Sequence, residues 1–382
     1  MQIAICAVLV TSSMVAVRGL ARSLDGNYGF DTTRNAMLVN ANLAMAGYSG
    51  DTMPAMHKRM IETMETIPGV EQAGLVNNFP PLVYGAGSRT NVFKEETRDR
   101  TPSNIASMPY GYDVSPGYFD AAGTRLLAGR AFSWHDDKSA PAVAVNREFA
   151  GKLFGSLTNA IGRYFTLQDA TRVQIVGVVE DGKYLSITED QQPAIFLPSM
   201  QSPSSQSYLV VRSHRDPQQL AAAIRSKLHE LDAGLPVDID TWSTLLVVVL
   251  FPSRVATVSL GVLGAMGAML SIIGIFGLAA YSVSKRLKEL GIRMALGAQR
   301  KEVLQAALGH AFKLLAFGSA AGLLLGILAS RVLASIVYQA TPRDPLVLAG
   351  VVLAMLLLGP LATWIPAQRA LSVDPATLLR EE

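Results

Sequence analysis

Residues 255–284 read VATVSLGVLGAMGAMLSIIGIFGLAAYSVS, thirty positions without one Asp, Glu, Lys or Arg. At a rise of ~1.5 Å per residue, a helix of that length exceeds the ~30 Å hydrocarbon core of a bilayer. The stretch therefore predicts a membrane-spanning helix, Val255–Val283, with room to tilt. A second span is predicted at Ala311–Ser330, where the lone Lys313 can snorkel its amine to the interface. A third, Leu346–Pro366, carries no charge.

Composition agrees with this reading. Of 382 residues half are hydrophobic and 16% charged, with mean hydropathy +0.29, whereas a soluble domain has about 25% charged residues. The apolar excess gathers at the two ends of the sequence. At the N-terminal end Met1–Val17 is apolar and closed by Arg18. A span of that length and a signal peptide are both open readings. The absence of a basic leader segment and of a small-x-small cleavage site favours a first transmembrane helix over residues 1–18, shortened at its start. The one cysteine, Cys6, lies inside it, so no disulfide within the chain can form.

Charge placement sets the orientation. Between the first two C-terminal spans, SKRLKELGIRMALGAQRKEV (Ser284–Val303) holds six Lys/Arg against two Glu. The next connection offers only Arg331 and Arg343. The positive-inside rule puts the basic island in the cytoplasm. Residues 19–253 then form an extracytoplasmic domain, and the tail with Arg369 and Arg380 returns to the cytoplasm. The expected fold is a membrane protein with four transmembrane α-helices (1+3) and a large α+β extracytoplasmic domain inserted after the first helix; residues 254–382 carry the other three.

Within that domain, Ala36–Leu43 alternates apolar and polar residues as a strand does, and Asp51–Thr66 places Met56, Met60, Ile61 and Met64 at helical spacing. Pro68-Gly69 ends that helix and Val70–Val76 returns as a strand. The pattern recurs in Ser207–Arg212, a helix opened by Pro217 and running to Leu231, and Leu235–Ile239. Two β-α-β units some way apart imply one sheet-and-helix sandwich interrupted by a strand-rich insertion, residues 88–200. The insertion contributes strands Ala142–Val145, Arg172–Val179 and Ala194–Leu197, and short helices at Ser115–Phe119 and Asn146–Phe154.

Chemistry is sparse. No G-x-x-x-x-G-K-[ST] phosphate loop and no G-x-S-x-G elbow occurs in the sequence. The five histidines lack metal-ligand spacing, so no metal or other cofactor is expected. Trp134-His135-Asp136-Asp137 reads as a solvated loop, and it is the only motivation for a secreted enzyme with a membrane tail. The basic island is short, flanked by membrane and free of interleaved aromatics, which argues against nucleic acid. In the Ala311–Ser330 span, Gly318, Gly322, Gly326 and Ser330 form a stripe of small residues four apart, the pattern that lets membrane helices approach closely. Its partner is either the preceding span or another polypeptide.

The island itself pairs Lys285 with Glu289 and Glu289 with Arg293 at i,i+4, with Leu287, Leu290 and Met294 on one stripe, as in a helix lying on a membrane surface. RLKELGIRMALGA resembles the R-x-x-E-[IL]-G-[IL]-R-x-A-x-G-A signature of the FtsX-like permeases, the class that includes the MacB exporter. The resemblance extends through Tyr28-Gly29-Phe30-Asp31, Ile67-Pro68-Gly69-Val70, Val114-Ser115-Pro116-Gly117-Tyr118-Phe119, Leu127-Ala128-Gly129-Arg130, Ile175–Asp181, Asp344-Pro345, Pro366–Ala370 and Asp374-Pro375. It is most similar to duplicated orphan permeases, of whose two four-helix modules this sequence holds one, as expected of a half-length relative or a fragment.

That resemblance implies a permease or mechanotransmission subunit of an ABC-type export system in the cell inner membrane, with its large domain in the periplasm. It also implies a separate ABC ATPase and a second permease half, as a homo- or hetero-dimer embedded in membrane lipid. By position, Glu289, Gly291, Ile292, Arg293, Gly297 and Ala298 would form the ATPase-facing segment; Leu290 stands where isoleucine is commoner. The alternative function is a membrane tether that regulates a periplasmic partner such as a cell-wall hydrolase.

Overall fold

The computed structural model describes residues 2–24, 27–31, 36–77, 88–136, 141–185, 189–202, 204–285, 309, 313, 316–318, 320–326, 328 and 345–371. The chain divides into two units: Gly26–Leu250, and Met1–Asp25 together with Phe251–Glu382.

The globular unit contains the two β-α-β units that hydrophobic periodicity predicts. β1 (Ala36–Asn42), α2 (Thr52–Glu65) and β2 (Val70–Asn77) form the first. β11 (Gln206–Ser213), α6 (Pro217–Leu231) and β12 (Val237–Thr241) form the second. Their strands lie in the order β12-β1-β11-β2 with every pairing antiparallel, the interleaved arrangement of a split β-α-β pair. Met56, Met60, Ile61 and Met64 of α2 and Leu220, Ile224 and Leu228 of α6 bury against Val39, Leu75, Leu209 and Val211. Asp216 caps α6, its Oδ1 accepting from the N–H groups of Gln218 and Gln219 at 3.0 and 3.2 Å, and Pro217 occupies the position where a missing N–H costs nothing.

The insertion builds a second lobe on the same sheet. After the short β3 (Ser88–Arg89) and β4 (Val92–Lys94) come β5 (Tyr110–Val114), α3 (Tyr118–Ala122), β6 (Leu126–Gly129), β7 (Ala142–Asn146), α4 (Arg147–Phe154) and α5 (Leu157–Ala160). β8 (Tyr164–Leu167), β9 (Arg172–Val179) and β10 (Ala194–Pro198) complete it. The order continues from β2 as β5-β10-β7-β9-β8-β4, with β6 sharing an edge of β9. Phe149 and Ala150 of α4 and Ala160 after them close a core of Val143, Phe165, Val173 and Ile175. Among the described residues the sheet passes from one lobe to the other through one ladder pair, Val76 with Val114. The short helix expected at Ser115–Phe119 starts later, at Tyr118. Gly117, at φ +82°, takes the left-handed turn that Ser115-Pro116 leads into.

In the helical unit α1 spans Gln2–Leu24 and α7 begins in the globular unit, spanning Trp242–Lys285. α8 covers Ala316–Gly326 and α9 covers Pro345–Leu371. Among the described residues three helices are long and apolar enough to cross a membrane: Ala4–Ala21, Trp242–Lys285 and Pro345–Pro366. Of the span expected at Ala311–Ser330, only the shorter apolar α8 is described as a helix. α7 is longer than the sequence suggests. Its 44 residues measure about 66 Å at the α-helical rise, because the helix begins at Trp242, ahead of the uncharged run, and continues through Pro252 and Arg254.

Candidate functional site

The site predicted from the basic island, Glu289, Gly291, Ile292, Arg293, Gly297 and Ala298, lies outside the described residues. α7 is described as far as Lys285.

The small-residue stripe is described in part. Gly322 and Gly326 are buried and Gly318 half-buried; Ser330 lies outside the described residues. The neighbour of the two buried glycines is α1. A Cβ on Gly322 would come within 2.4 Å of Ala7 Cβ and 2.6 Å of the Ala4 carbonyl oxygen, and one on Gly326 within 2.9 Å of Thr11. α7 approaches the same helix through Gly264, 3.2 Å by this measure from Ser13 Cβ, and Gly267, 3.0 Å from Leu9. Gly350 of α9 does so at Met14. α1 is thus the axis on which the other helices pack through glycine, as expected where dispersion at close range holds helices together. The Thr257 hydroxyl donates to the Ser253 carbonyl of its own helix at 2.8 Å and lies 3.4 Å from the Ala16 carbonyl of α1. Val258, Met269 and Ile273 stay exposed, as lipid-facing side chains do.

In the globular unit the motif stretches converge on one junction. The segment after α1, Asn27–Asp31, crosses the end of β9. Asn27 Nδ2 donates to Glu180 Oε2 at 3.0 Å, the Lys183 N–H donates to the Tyr28 carbonyl at 3.0 Å, and the Thr124 hydroxyl donates to the Gly29 carbonyl at 2.6 Å. Gly29, at φ +80°, lies so close to Gly182 that a Cβ would be 2.6 Å from its α-carbon. Glu180, 6% exposed, also accepts from the backbone N–H and Nε of Arg125 at 2.8 and 3.0 Å. Its burial is tolerable because its lone pairs are filled.

The same segment reaches the first lobe. The Asp31 N–H donates to the Ala122 carbonyl at 2.8 Å, and its carboxylate lies 3.8 Å from Arg212 Nη1. Phe30 stacks on Trp242, centroids 4.1 Å apart and planes 12° from parallel; Tyr28 stacks on Phe30 at 5.9 Å. Trp242 is the first residue of α7 and 2% exposed. The polypeptide entering the globular unit is thereby held against the polypeptide leaving it. α3 is the floor of the junction. Gly74 of β2 lets the backbone of Tyr118 approach, since a Cβ there would be 2.4 Å from its α-carbon, and the Leu75 N–H donates to the Ser115 hydroxyl at 2.8 Å.

Sequence reading pointed to Tyr28–Asp31, Val114–Phe119 and Ile175–Asp181 but not to their meeting. It missed Trp242, Thr124, Arg125 and Arg212. A glycine inside a strand pattern signals close backbone approach, so Gly74 was the available clue to the position of α3.

The Trp134–Asp137 cluster holds a turn together. Asp136, 4% exposed, accepts from Arg130 Nη1 and Nη2 at 2.7 Å each and from the Ser133 N–H at 2.7 Å. The Arg130 guanidinium holds its carboxyl below the usual range, which suits an ion-paired anchor and not an acid. Asp137 lies outside the described residues.

Comparison with known proteins gives two family matches. Residues 3–227 match the MacB-like periplasmic core domain and residues 261–375 the FtsX-like permease C-terminal region. The pyoverdine export ATP-binding/permease protein PvdT of Pseudomonas savastanoi pv. phaseolicola is 29% identical over 269 residues, covering 67% of this chain and 40% of that protein. The macrolide export ATP-binding/permease protein MacB of Rhodospirillum rubrum is 24% identical over 333 residues, 82% of this chain and 51% of that one. The chain therefore spans about half or less of the length of these curated relatives. Among solved structures, the periplasmic region of MacB from Actinobacillus actinomycetemcomitans aligns with 57% of this chain and 92% of its own, at 15% identity and a TM-score of 0.37.

Proposed function

The chain belongs to the MacB/FtsX-like family of ABC transporter permeases, and from that premise we propose that it couples ATP hydrolysis by a separate ATPase to motion of its periplasmic domain. The work done is export or extraction of a substrate across or from the inner membrane. The ATPase-facing segment is Glu289, Gly291, Ile292, Arg293, Gly297 and Ala298, and a second permease half completes the machine.

One observation carries this reading: the stack of Phe30 on Trp242. A domain that receives force from membrane helices needs its two covalent connections to act together, because a loose hinge at either one would absorb the displacement. An aromatic pair at stacking distance adds about 0.5–1.5 kcal/mol beyond its burial. Gly29 against Gly182 and Asn27 on Glu180 fix the incoming segment a few residues away.

Affinity capture of the full chain from mild detergent tests the reading. A co-purifying ABC ATPase with a second permease copy is the expected result. Capture of a cell-wall hydrolase with no ATPase would overturn it in favour of a regulatory tether.

A further inference from the structure

Arg212, on β11, keeps 6% of its surface exposed, and its guanidinium is only partly satisfied. Nε donates to the Ala121 carbonyl at 3.0 Å and Nη1 is 3.8 Å from the Asp31 carboxylate. Nη2 is buried with no hydrogen-bond partner. Leaving a buried donor of a charged group unpaired is among the more costly arrangements in a protein interior.

Nη2 lies behind the turn after α3, where a Cβ on Gly123 would come within 2.2 Å of it. That residue, at φ +75°, has only an α-carbon to cover the guanidinium. On the other side is a cleft of about 500 Å³ lined by Arg212 and Gly123 with Gln72, Asp120, Thr124 and Arg125. It is a shallow, open depression across which a small ligand could lie. Gln72 of β2 lines one side of it; further along the strand the edge is occupied, Leu75 exchanging hydrogen bonds with Ser115.

The charges of the cleft are arranged in opposition. Arg125 stands at the rim with 71% of its side chain exposed and Glu180 behind it. Glu71 is engaged by His214. The Asp120 side chain is exposed. We propose that this cleft binds the free carboxylate end of a short peptide or peptide-like molecule. The carboxylate meets Arg212 and Arg125, supplying the acceptor that Nη2 lacks, and the amide donors of the ligand face Asp120. Contact with Nη2 requires the Gly123–Thr124 turn to move aside, which breaks the Thr124 hydroxyl bond to the Gly29 carbonyl. The inference stands apart from any ATPase partner.

Isothermal titration of the full chain in mild detergent tests it, with tetra-alanine bearing a free carboxyl group, its C-terminal amide, and acetate as probes. The acid is expected to bind saturably, with the amide weaker by about tenfold or more. Arg125→Gln and Arg212→Gln should each weaken the acid and leave the amide unchanged. If Arg212→Gln does not fold, the acid-against-amide comparison on the unaltered chain and Arg125→Gln decide. Equal binding of acid and amide, acetate matching the peptide, or no saturable binding overturns the proposal.

Discussion

Phe30 and Trp242 lie face to face, ring centroids 4.1 Å apart and planes 12° from parallel, although 212 positions separate them in the chain. Their contact ties the two ends of the globular unit. Replacing either ring with leucine should lower the thermal midpoint of the full chain in detergent. The double variant should lose less than the sum of the two, by a coupling of about 1 kcal/mol. Strict additivity would mean that the rings touch without stabilising each other.

Glycine positions offer a controlled comparison in the membrane. Gly322→Ala drives a Cβ to 2.4 Å from Ala7, so α8 and α1 must separate, at a cost of about 1–3 kcal/mol. Gly277→Ala in α7 meets nothing within 4 Å and should be neutral or gain up to about 1 kcal/mol of helix propensity. Unfolding temperatures in one detergent check both; a stabilised Gly322→Ala variant would remove α1 from its assigned place as the packing axis.

At the junction, Gly182→Ala would place a Cβ 2.7 Å from the Tyr28 carbonyl oxygen. No side chain can rotate out of that clash, because both partners are backbone. Faster hydrogen exchange at the Lys183 amide, which donates to Tyr28, is expected in this variant. Exchange unchanged from the parent would show that the crossing does not depend on the glycine.

A buried histidine and a half-buried aspartate give opposite pH dependences. His57, 4% exposed and with Nε2 unpartnered, is pushed by burial from 6.5 down to about 4. Folding favours its neutral form, so its contribution is intact above pH 6.5 and is lost as pH falls toward 4, by up to about 3 kcal/mol. Asp113 is pushed up to about 6 by burial, opposed by its bond with Ser202. Its contribution is present below the unfolded carboxyl range and lost as pH rises through 6. His57→Leu should flatten the acid limb of a stability-against-pH curve, and Asp113→Asn should stabilise above pH 6 with the gain fading toward pH 4. A His57→Leu curve parallel to the parent's would show that this histidine does not titrate with unfolding.

Much of the fold was legible because periodicity reports burial locally. The Met56–Met64 spacing and the alternation in Ala36–Leu43 needed no knowledge of their partners. Short strands such as β4, β6 and β8 left no pattern, since three or four residues cannot display a period. The long start of α7 was hidden because the uncharged run that marks the span begins only at Val255, whereas the helix begins at Trp242. The junction was illegible for a different reason. Its bonds run from a side chain to backbone far away in sequence, Thr124 to Gly29 and Asn27 to Glu180, and no local signal reports which carbonyl a hydroxyl will find.

The most direct test of the coupling claim is a distance measurement in a purified complex with the proposed ATPase. Cys6 is replaced by serine and the exposed Arg98 by a spin-labelled cysteine on each of two paired chains. The label separation should change when ATP binds, and Phe30→Ala with Trp242→Ala should suppress that change while the ATPase stays bound. A separation that ignores nucleotide in the complex with both rings intact would contradict the account.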